Sequence, residues 1–487
     1  MLAPTTDNLW TQIGWAFYGS GTRAVTSIVY TVGPVLVTEA AKAQRLGEHG
    51  APPPAHAPPG NHSNASAALP ADSDELPVVL ADGVEVLATQ LSTLALSFSL
   101  LLQCVTSIFL AQLADARGWR LRMLVIHVVL GAACALALGL TPPNTPALLQ
   151  ALLLAMTFYG LALAWMFVNG FLPLVASPAR RPTVSLGAAA LASAGGAAFL
   201  LVQYSMLSEA GAEADSLTTA SMKRVCALAA LCWLVGAAPT FFALRGVAQP
   251  EPRDEAVGAC TRLLRGIGRL QHHPHARGYL LSQTFYLAAA SNDGATAALF
   301  AVEVLDMEVG AITLVTLYAA VVSIGGAVAT LVLSKLWAPR PLLLVLMSAA
   351  PLCVLYAALA LETEGQFWAL SCFRAFVAGG LGFSGLNRGL FAQMVPRSRE
   401  SEFFGLWMVA IKAVSWTVPL LMTALHQISG SFRFAITASL VFYIPALVLA
   451  WVTDFDAAYA EAEAADAANE SDGLLGAKKA PAEAKPS

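Results

Sequence analysis

Leu113-Ala114-Asp115-Ala116-Arg117-Gly118-Trp119-Arg120-Leu121-Arg122 is a charged island between two uncharged runs. Residues 88–112 before it and 123–141 after it contain no Asp, Glu, Lys or Arg. A bilayer core of ~30 Å takes about 20 apolar residues in a helix, so each run is long enough to cross one. Charges are costly inside a membrane, which places the four in this island at a water interface. Gly118 lets the chain turn tightly there. The stretch therefore reads as a short loop joining two membrane helices, and it sets the expectation for the whole chain.

Extending the same scan outward gives runs near 10–38, 88–112, 121–141, 146–172, 183–207 and 223–245. Six more follow a polar stretch, near 278–302, 309–335, 341–361, 367–394, 402–427 and 432–453. The expected fold is an all-α polytopic membrane protein of twelve transmembrane helices in two six-helix bundles, the two-bundle architecture of carriers built from repeats. Composition agrees. Of 487 residues, 57% are hydrophobic and 12% charged, against about 25% charged in soluble domains, and the mean hydropathy is +0.65. The net charge of −4 comes without a basic patch, which argues against nucleic acid as a partner. Residues 1–10 contain no Lys or Arg, so the first run reads as a retained helix rather than a cleaved signal peptide.

Residues 1–245 form the expected first bundle, 246–277 a linker, 278–453 the second bundle, and 454–487 a disordered tail. Within the first bundle, residues 42–86 form a Pro/Ala-rich loop with the acceptor sequons Asn61-His62-Ser63 and Asn64-Ala65-Ser66. The linker carries Arg253, Arg262, Arg265, Arg269 and Arg277. With the N-terminus cytosolic, eighteen Lys and Arg fall on the cytosolic side, five on the other and four inside the membrane. The positive-inside rule then places both termini in the cytosol and makes Asn61 and Asn64 candidates for glycosylation.

Intramembrane charge marks the expected site. Asp293 lies about fifteen residues into the seventh run, in Ser291-Asn292-Asp293-Gly294, and reads as a proton carrier or a partner for a substrate amine. Its alternative is a structural pair with a cation of another helix. Arg23 and Lys412 lie near mid-depth of the first and eleventh runs. Arg374 and Arg388 sit nearer the two ends of the tenth and can snorkel. Asp115, Arg117 and Arg120 form the expected cytosolic gate, where a carboxylate at a helix end pairs with arginines or with a neighbouring helix N-terminus. The second-half loop, Leu333 to Arg340, keeps basic charge but has no Asp, so the gate is one-sided. Pro34, Pro173, Pro239, Pro419 and Pro445 lie in or at the ends of runs and are expected kinks.

Metal and enzyme chemistry find little support. The seven cysteines show neither metal spacing nor an extracellular framework. His272-His273-Pro274-His275 reads as a solvated part of the linker. No nucleotide loop or nucleophile–base pair stands out, so neither an enzyme nor a cofactor is expected.

The loop at 111–122 resembles the signature of the major facilitator superfamily. Further matches are Asn169-Gly170-Phe171-Leu172-Pro173, Ala176-Ser177, Val184-Ser185-Leu186-Gly187 and Asn292-Asp293-Gly294. The longest runs from Leu390 to Leu406 through Pro396-Arg397-Ser398-Arg399-Glu400-Ser401-Glu402-Phe403-Phe404-Gly405, followed by Lys412, Pro419 and Gly430-Ser431-Phe432-Arg433. Together these resemble the autophagy-related vacuolar effluxer family of that superfamily. In the first helix the chain departs from the family. Trp15-Ala16-Phe17-Tyr18 is present, but Gly19, Thr22 and Arg23 stand where Asp, Asn and Ser are expected. The resemblance implies amino-acid export from a vacuole to the cytosol after autophagic breakdown. Intramembrane Asp293 makes protons a candidate coupling ion, and the expected pathway comprises Asp293, Asn292, Arg23, Lys412, Arg388 and Asn169. Two alternatives stay open: a drug or metabolite exporter at the plasma membrane, and a non-transporting sensor or assembly protein whose buried charges are structural.

Overall fold

The structure, a computed structural model, describes residues 8–467 apart from 49–76, 81–83, 143–144, 177–180, 209–214, 248–260, 262–266, 269, 272, 378–385, 388–389, 392, 396–399 and 466. Asn61, Asn64, Arg388 and most of the basic linker lie outside the described residues. Apolar runs become helices because each backbone N–H and C=O must find a partner within its own segment when no water is at hand.

The first span combines α1 (Leu9–Ser27), a π-turn (Ile28–Val32) and α2 (Gly33–Glu48). Pro34 accounts for the π-turn. It has no N–H to give the carbonyl of Tyr30 four residues earlier, and the Gly33 N–H reaches back to the Ile28 carbonyl instead. Residues 42–48 continue α2, where the sequence suggested that the loop begins. A short antiparallel hairpin, Pro77–Leu80 with Val84–Leu87, leads into α3 (Ala88–Arg117).

The first half continues through α4 (Arg120–Gly139), α5 (Ala147–Asn169), the single turn α6 (Leu172–Val175), α7 (Arg181–Ser208) and α8 (Asp215–Leu244). The seventh span is broken at Ser291–Asn292 into α9 (Pro274–Ala290) and α10 (Asp293–Leu305). Then come α11 (Val309–Leu336), α12 (Pro339–Leu359) and α13 (Glu364–Val377). The eleventh span is α14 (Glu400–Ser415) and α15 (Thr417–Ser429). The last is α16 (Phe432–Ala435), a 3-10 turn (Ile436–Ser439) and α17 (Leu440–Val452).

Among the described residues, nine helices are long and apolar enough to cross a membrane. The other three of the twelve apolar runs hold the helices Arg181–Ser208, the broken pair Pro274–Ala290 and Asp293–Leu305, and Glu364–Val377; the first has its apolar stretch at Ala194–Ser208. Outward-facing side chains such as Val235, Phe242, Leu359, Ile428 and Trp451 are large and apolar. A surface of that kind suits hydrocarbon rather than water.

One continuous apolar core runs through the first half, from Trp15 to Leu244, and takes in Ala295 and Val309 from the second. The second half has two separate cores. One contains Tyr279, Leu343, Phe391 and Tyr443, the other Leu299, Ile312, Phe367 and Phe432. The tail departs from the expected disorder at its start. Residues 455–465 are helical, and Phe455 and Ala458 are buried in the first of these two cores, with Phe455 edge-on to Tyr279. An apolar residue every three or four positions gives that segment a face to bury. The end of the bundle bearing Glu48 and Ala88 is the loop side, and the opposite end the terminal side.

Candidate functional site

A cavity of about 660 Å³ lies between the halves. Its walls come from α1 and the π-turn, from α7, and from the second-half spans around the break at Ser291–Asn292. Two irregular segments meet there. A Cβ on Gly294 would come within 3.2 Å of the Tyr30 Cβ, so the glycine lets the π-turn of the first span approach the break of the seventh. π-Turns inside helices recur at functional sites because they re-aim side chains. Tyr30, the residue re-aimed here, is edge-on to Phe158 and lines the cavity.

Asp293, first residue of α10, lines the cavity and forms an ion pair with Arg374 of α13 through Oδ2. The Tyr443 hydroxyl donates to the same oxygen at 2.5 Å. Tyr286 stands edge-on to the Tyr443 ring at 5.2 Å and holds it in place. The Asp293 side chain is 12% exposed and that of Arg374 31%. In this geometry the carboxylate is the shared acceptor for donors from the tenth and twelfth spans. Neither Lys412 nor Arg23, the cations expected near mid-depth, holds it. Sequence reasoning named Arg374 as an intramembrane cation but left it out of the pathway. Depth could have found it: Asp293 lies twelve residues from the loop-side end of α10, and Arg374 ten from that of α13. At 1.5 Å per residue these are ~18 and ~15 Å.

Arg23 opens onto the same cavity from α1. Gly196 of α7 makes this possible, since a Cβ there would lie 3.0 Å from the Arg23 Cβ. Among the described residues Arg23 has no carboxylate partner, whereas Asp293 and Arg374 cancel each other. Among the described residues, the charged side chains lining the cavity are Arg23, Asp293 and Arg374, which leaves one net positive charge.

Lys412 lies elsewhere. Its Nζ donates to the buried Gln103 Oε1 at 2.7 Å, and Gln103 Nε2 donates to Ser99 Oγ at 3.1 Å. It thus ties the eleventh span to the second. Asn292 is buried in the cavity wall. Its Nδ2 donates to Ala288 O at 3.2 Å and to Ser415 O at 3.4 Å. Pro419 explains the second bond, because it cannot donate to the carbonyl four residues before it, which is Ser415. Asn169 ends α5, exposed, and is not among the cavity residues.

At the terminal side, Arg117 lies over the Trp119 ring at 4.8 Å. Arg120 donates from Nη1 to Gly170 O at 3.1 Å, a cation on the carbonyl end of α5. Asp115 is a helical residue of α3. His275, expected in a solvated run, is 3.8 Å from Glu461 of the helical tail segment.

A second intramembrane acid was missed by sequence reasoning. Glu303, two residues before the end of α10, was placed just beyond the seventh run. Its Oε1 is 3.2 Å from Lys42 Nζ of α2, and its side chain is 10% exposed. Glu303 brings its own cation with it, so the excess of intramembrane cations over acids is unchanged.

Residues 7–463 match the family described as vacuole effluxer Atg22 like. A stretch of 89 residues is 30% identical to an uncharacterized MFS-type transporter, YxiO, of Bacillus subtilis (strain 168), over 18% of this chain and 20% of that protein. The match thus spans about a fifth of the relative's length. Among solved structures, the inward-open xylose transporter XylE from E. coli superposes on 91% of this chain and 95% of its own, with 14% identity and a TM-score of 0.59. A bacterial homolog of the human lysosomal transporter Spinster, inward-facing and occupied, does so on 92% and 97%, with 11% identity and a TM-score of 0.56. Likeness at such identity speaks for the fold alone, and that fold is the major facilitator fold of two six-helix bundles. Matched along nearly its whole length, the chain belongs to the vacuole effluxer Atg22-like family and is a multi-pass membrane transporter of the major facilitator type.

Proposed function

We propose that this protein exports amino acids from the vacuole, or a similar acidic organelle, to the cytosol during autophagy, with both termini in the cytosol. The observation that carries the substrate class is Arg23. A guanidinium that has no carboxylate partner among the described residues faces a cavity about 660 Å³ in volume, within the roughly 300–1,000 Å³ of small-molecule sites. Its planar fork suits a carboxylate. Asp293, in the same cavity wall, is the acid toward which the substrate amine is drawn. The family's description supports the vacuole and the direction of transport, and the eighteen to five distribution of Lys and Arg supports the orientation.

Coupling to protons follows from the same centre. The Asp293 carboxylate accepts from both Arg374 and Tyr443. Protonation removes the ionic part of that hold and frees Arg374 for the solute. The gate role of Asp115, Arg117 and Arg120 belongs to the same scheme, closing the terminal side. Lys412 and Arg388 are assigned to the pathway as intramembrane cations, and Asn169 from the matched stretch Asn169 to Pro173.

The test is uptake of a labelled amino-acid panel into proteoliposomes containing the purified protein, with and without a pH gradient. Amino acids should be taken up, faster with the gradient. Arg23→Gln should cut the rate tenfold or more at unchanged protein abundance, about 1.4 kcal/mol or more of lost interaction. Equal rates for Arg23→Gln and the parent protein would remove the carboxylate role.

A further inference from the structure

The two halves are joined at the loop side by polar contacts between spans of opposite halves. The first of these, at α3 and α15, holds Thr93 Oγ1 2.8 Å from Thr423 Oγ1, while Gln90 Nε2 reaches Thr423 O at 3.5 Å. In the second, between α7 and α11, Gln203 Nε2 donates to Thr313 Oγ1 at 2.7 Å and its Oε1 accepts from Ser27 at 2.8 Å. The third lies between α2 and α10 and is the one with charge. Lys42 Nζ stands 3.2 Å from Glu303 Oε1, 3.5 Å from its Oε2, and 3.5 Å from Glu39 Oε1 on its own helix.

Lys42 is twelve residues past Tyr30, and Glu303 nine past Gly294, where the first and seventh spans meet beside the cavity. At 1.5 Å per residue the ion pair lies ~14–18 Å nearer the loop side than that meeting point. Neither residue lines the cavity. A solute between the cavity and the loop side must therefore pass a seam that these contacts close.

The three contacts differ in what it takes to part them. Hydroxyl and amide groups that separate can bond to water with a net loss of only about 0.5–1.5 kcal/mol each. A mostly buried ion pair loses more, because each charge must be rehydrated or find another partner. Glu39 is that other partner for Lys42. It lies three residues earlier on the same helix and stays with Lys42 however the halves move. Glu303 has no Lys or Arg on its own helix to stay with it when the seam opens.

We propose that Lys42 and Glu303 are positioning residues of the transport cycle, a lock holding the cavity closed to the loop side, with Glu39 retaining Lys42 when the lock is open. This rests on the chain being a carrier of the major facilitator type and not on which solute it carries. The test reads opening directly. Cys353 lines the cavity and is 5% exposed, so its reaction with a membrane-impermeant maleimide, followed by mass spectrometry, reports access. The reagent is added to proteoliposomes of the full chain on the side where protease clips residues 49–76. Glu303→Gln should raise the labelling rate about tenfold, a modest share of what a buried pair is worth. Lys42→Met should do the same. The double variant should label no faster than either single one, since the pair acts as a unit. Thermal unfolding of each variant, compared with the parent, separates opening from loss of fold. If both single variants label at the parental rate while folded, or if their effects simply add, the lock is wrong. Because labelling needs no solute, failure to transport amino acids leaves this test standing, and parental labelling in an active carrier removes the lock alone.

Discussion

The two halves of this transporter share an architecture but handle charge in opposite ways. The first half packs around one continuous core, and its intramembrane cation, Arg23, points away from that core into the cavity. In the second half the core is divided in two, and Asp293 is held there by Arg374 and Tyr443 from two other spans. A charge in the membrane is tolerated either by facing a cavity or by finding a partner, and this molecule uses one solution in each half. The contrast suggests a division of labour. Among the described residues, the second half neutralises its cavity cation with its own carboxylate, and the first half presents a positive charge to the cavity. The halves agree at their terminal-side ends. Arg120 at the start of α4 caps the Gly170 carbonyl, and Arg340 at the start of α12 donates to the Trp451 carbonyl.

The strongest way to break this comparison is Arg374→Met. It leaves the Asp293 carboxylate buried with Tyr443 alone and should cost about 3–5 kcal/mol, read as lower abundance and a lower Tm in detergent. Combining it with Asp293→Asn should recover most of that loss. Stability equal to the parent's for Arg374→Met would mean that the pair is not what holds the second half together. Tyr443→Phe removes one hydrogen bond to a charged acceptor, for which about 1.5–3 kcal/mol is expected. In an Asp293→Asn background the same change should cost clearly less, and a full double-mutant cycle would measure the coupling. Arg120→Gln should cost about 0.3–1 kcal/mol, the scale of a cation at a helix C-terminus. Arg23→Gln should change stability by no more than about 0.5 kcal/mol, as expected for a site outside the packed core. A large loss of stability there would show that Arg23 is a structural residue and would erase the contrast between the halves.

The pairing also changes what Asp293→Asn means. From the sequence, an amide of the same shape reads as harmless to folding. With Arg374 in place, the substitution leaves a guanidinium without its counter-ion, so a loss of transport must be judged beside a measured Tm. The helical segment at 455–465 teaches the same lesson on a smaller scale. Its Ala/Glu composition reads as disorder, yet Phe455 and Ala458 find a core to enter.

Much of this protein was legible in the chain itself. The hydrocarbon core sets one length for every helix, so twelve apolar runs and the charged loop at Leu113–Arg122 lead directly to a twelve-span bundle. Pro34 and Pro419 mark irregular turns for an equally local reason, the missing N–H. What the chain could not determine was which charges face each other. Asp293, Arg374 and Tyr443 come from three spans, and Lys42 and Glu303 are separated by 261 positions. Run boundaries uncertain by a few residues moved Lys42 into a loop and Glu303 out of its helix. Residues of different helices meet only through the rotation and depth that packing imposes. That packing alone decided that Asp293 is held by Arg374 while Arg23 is left facing the cavity.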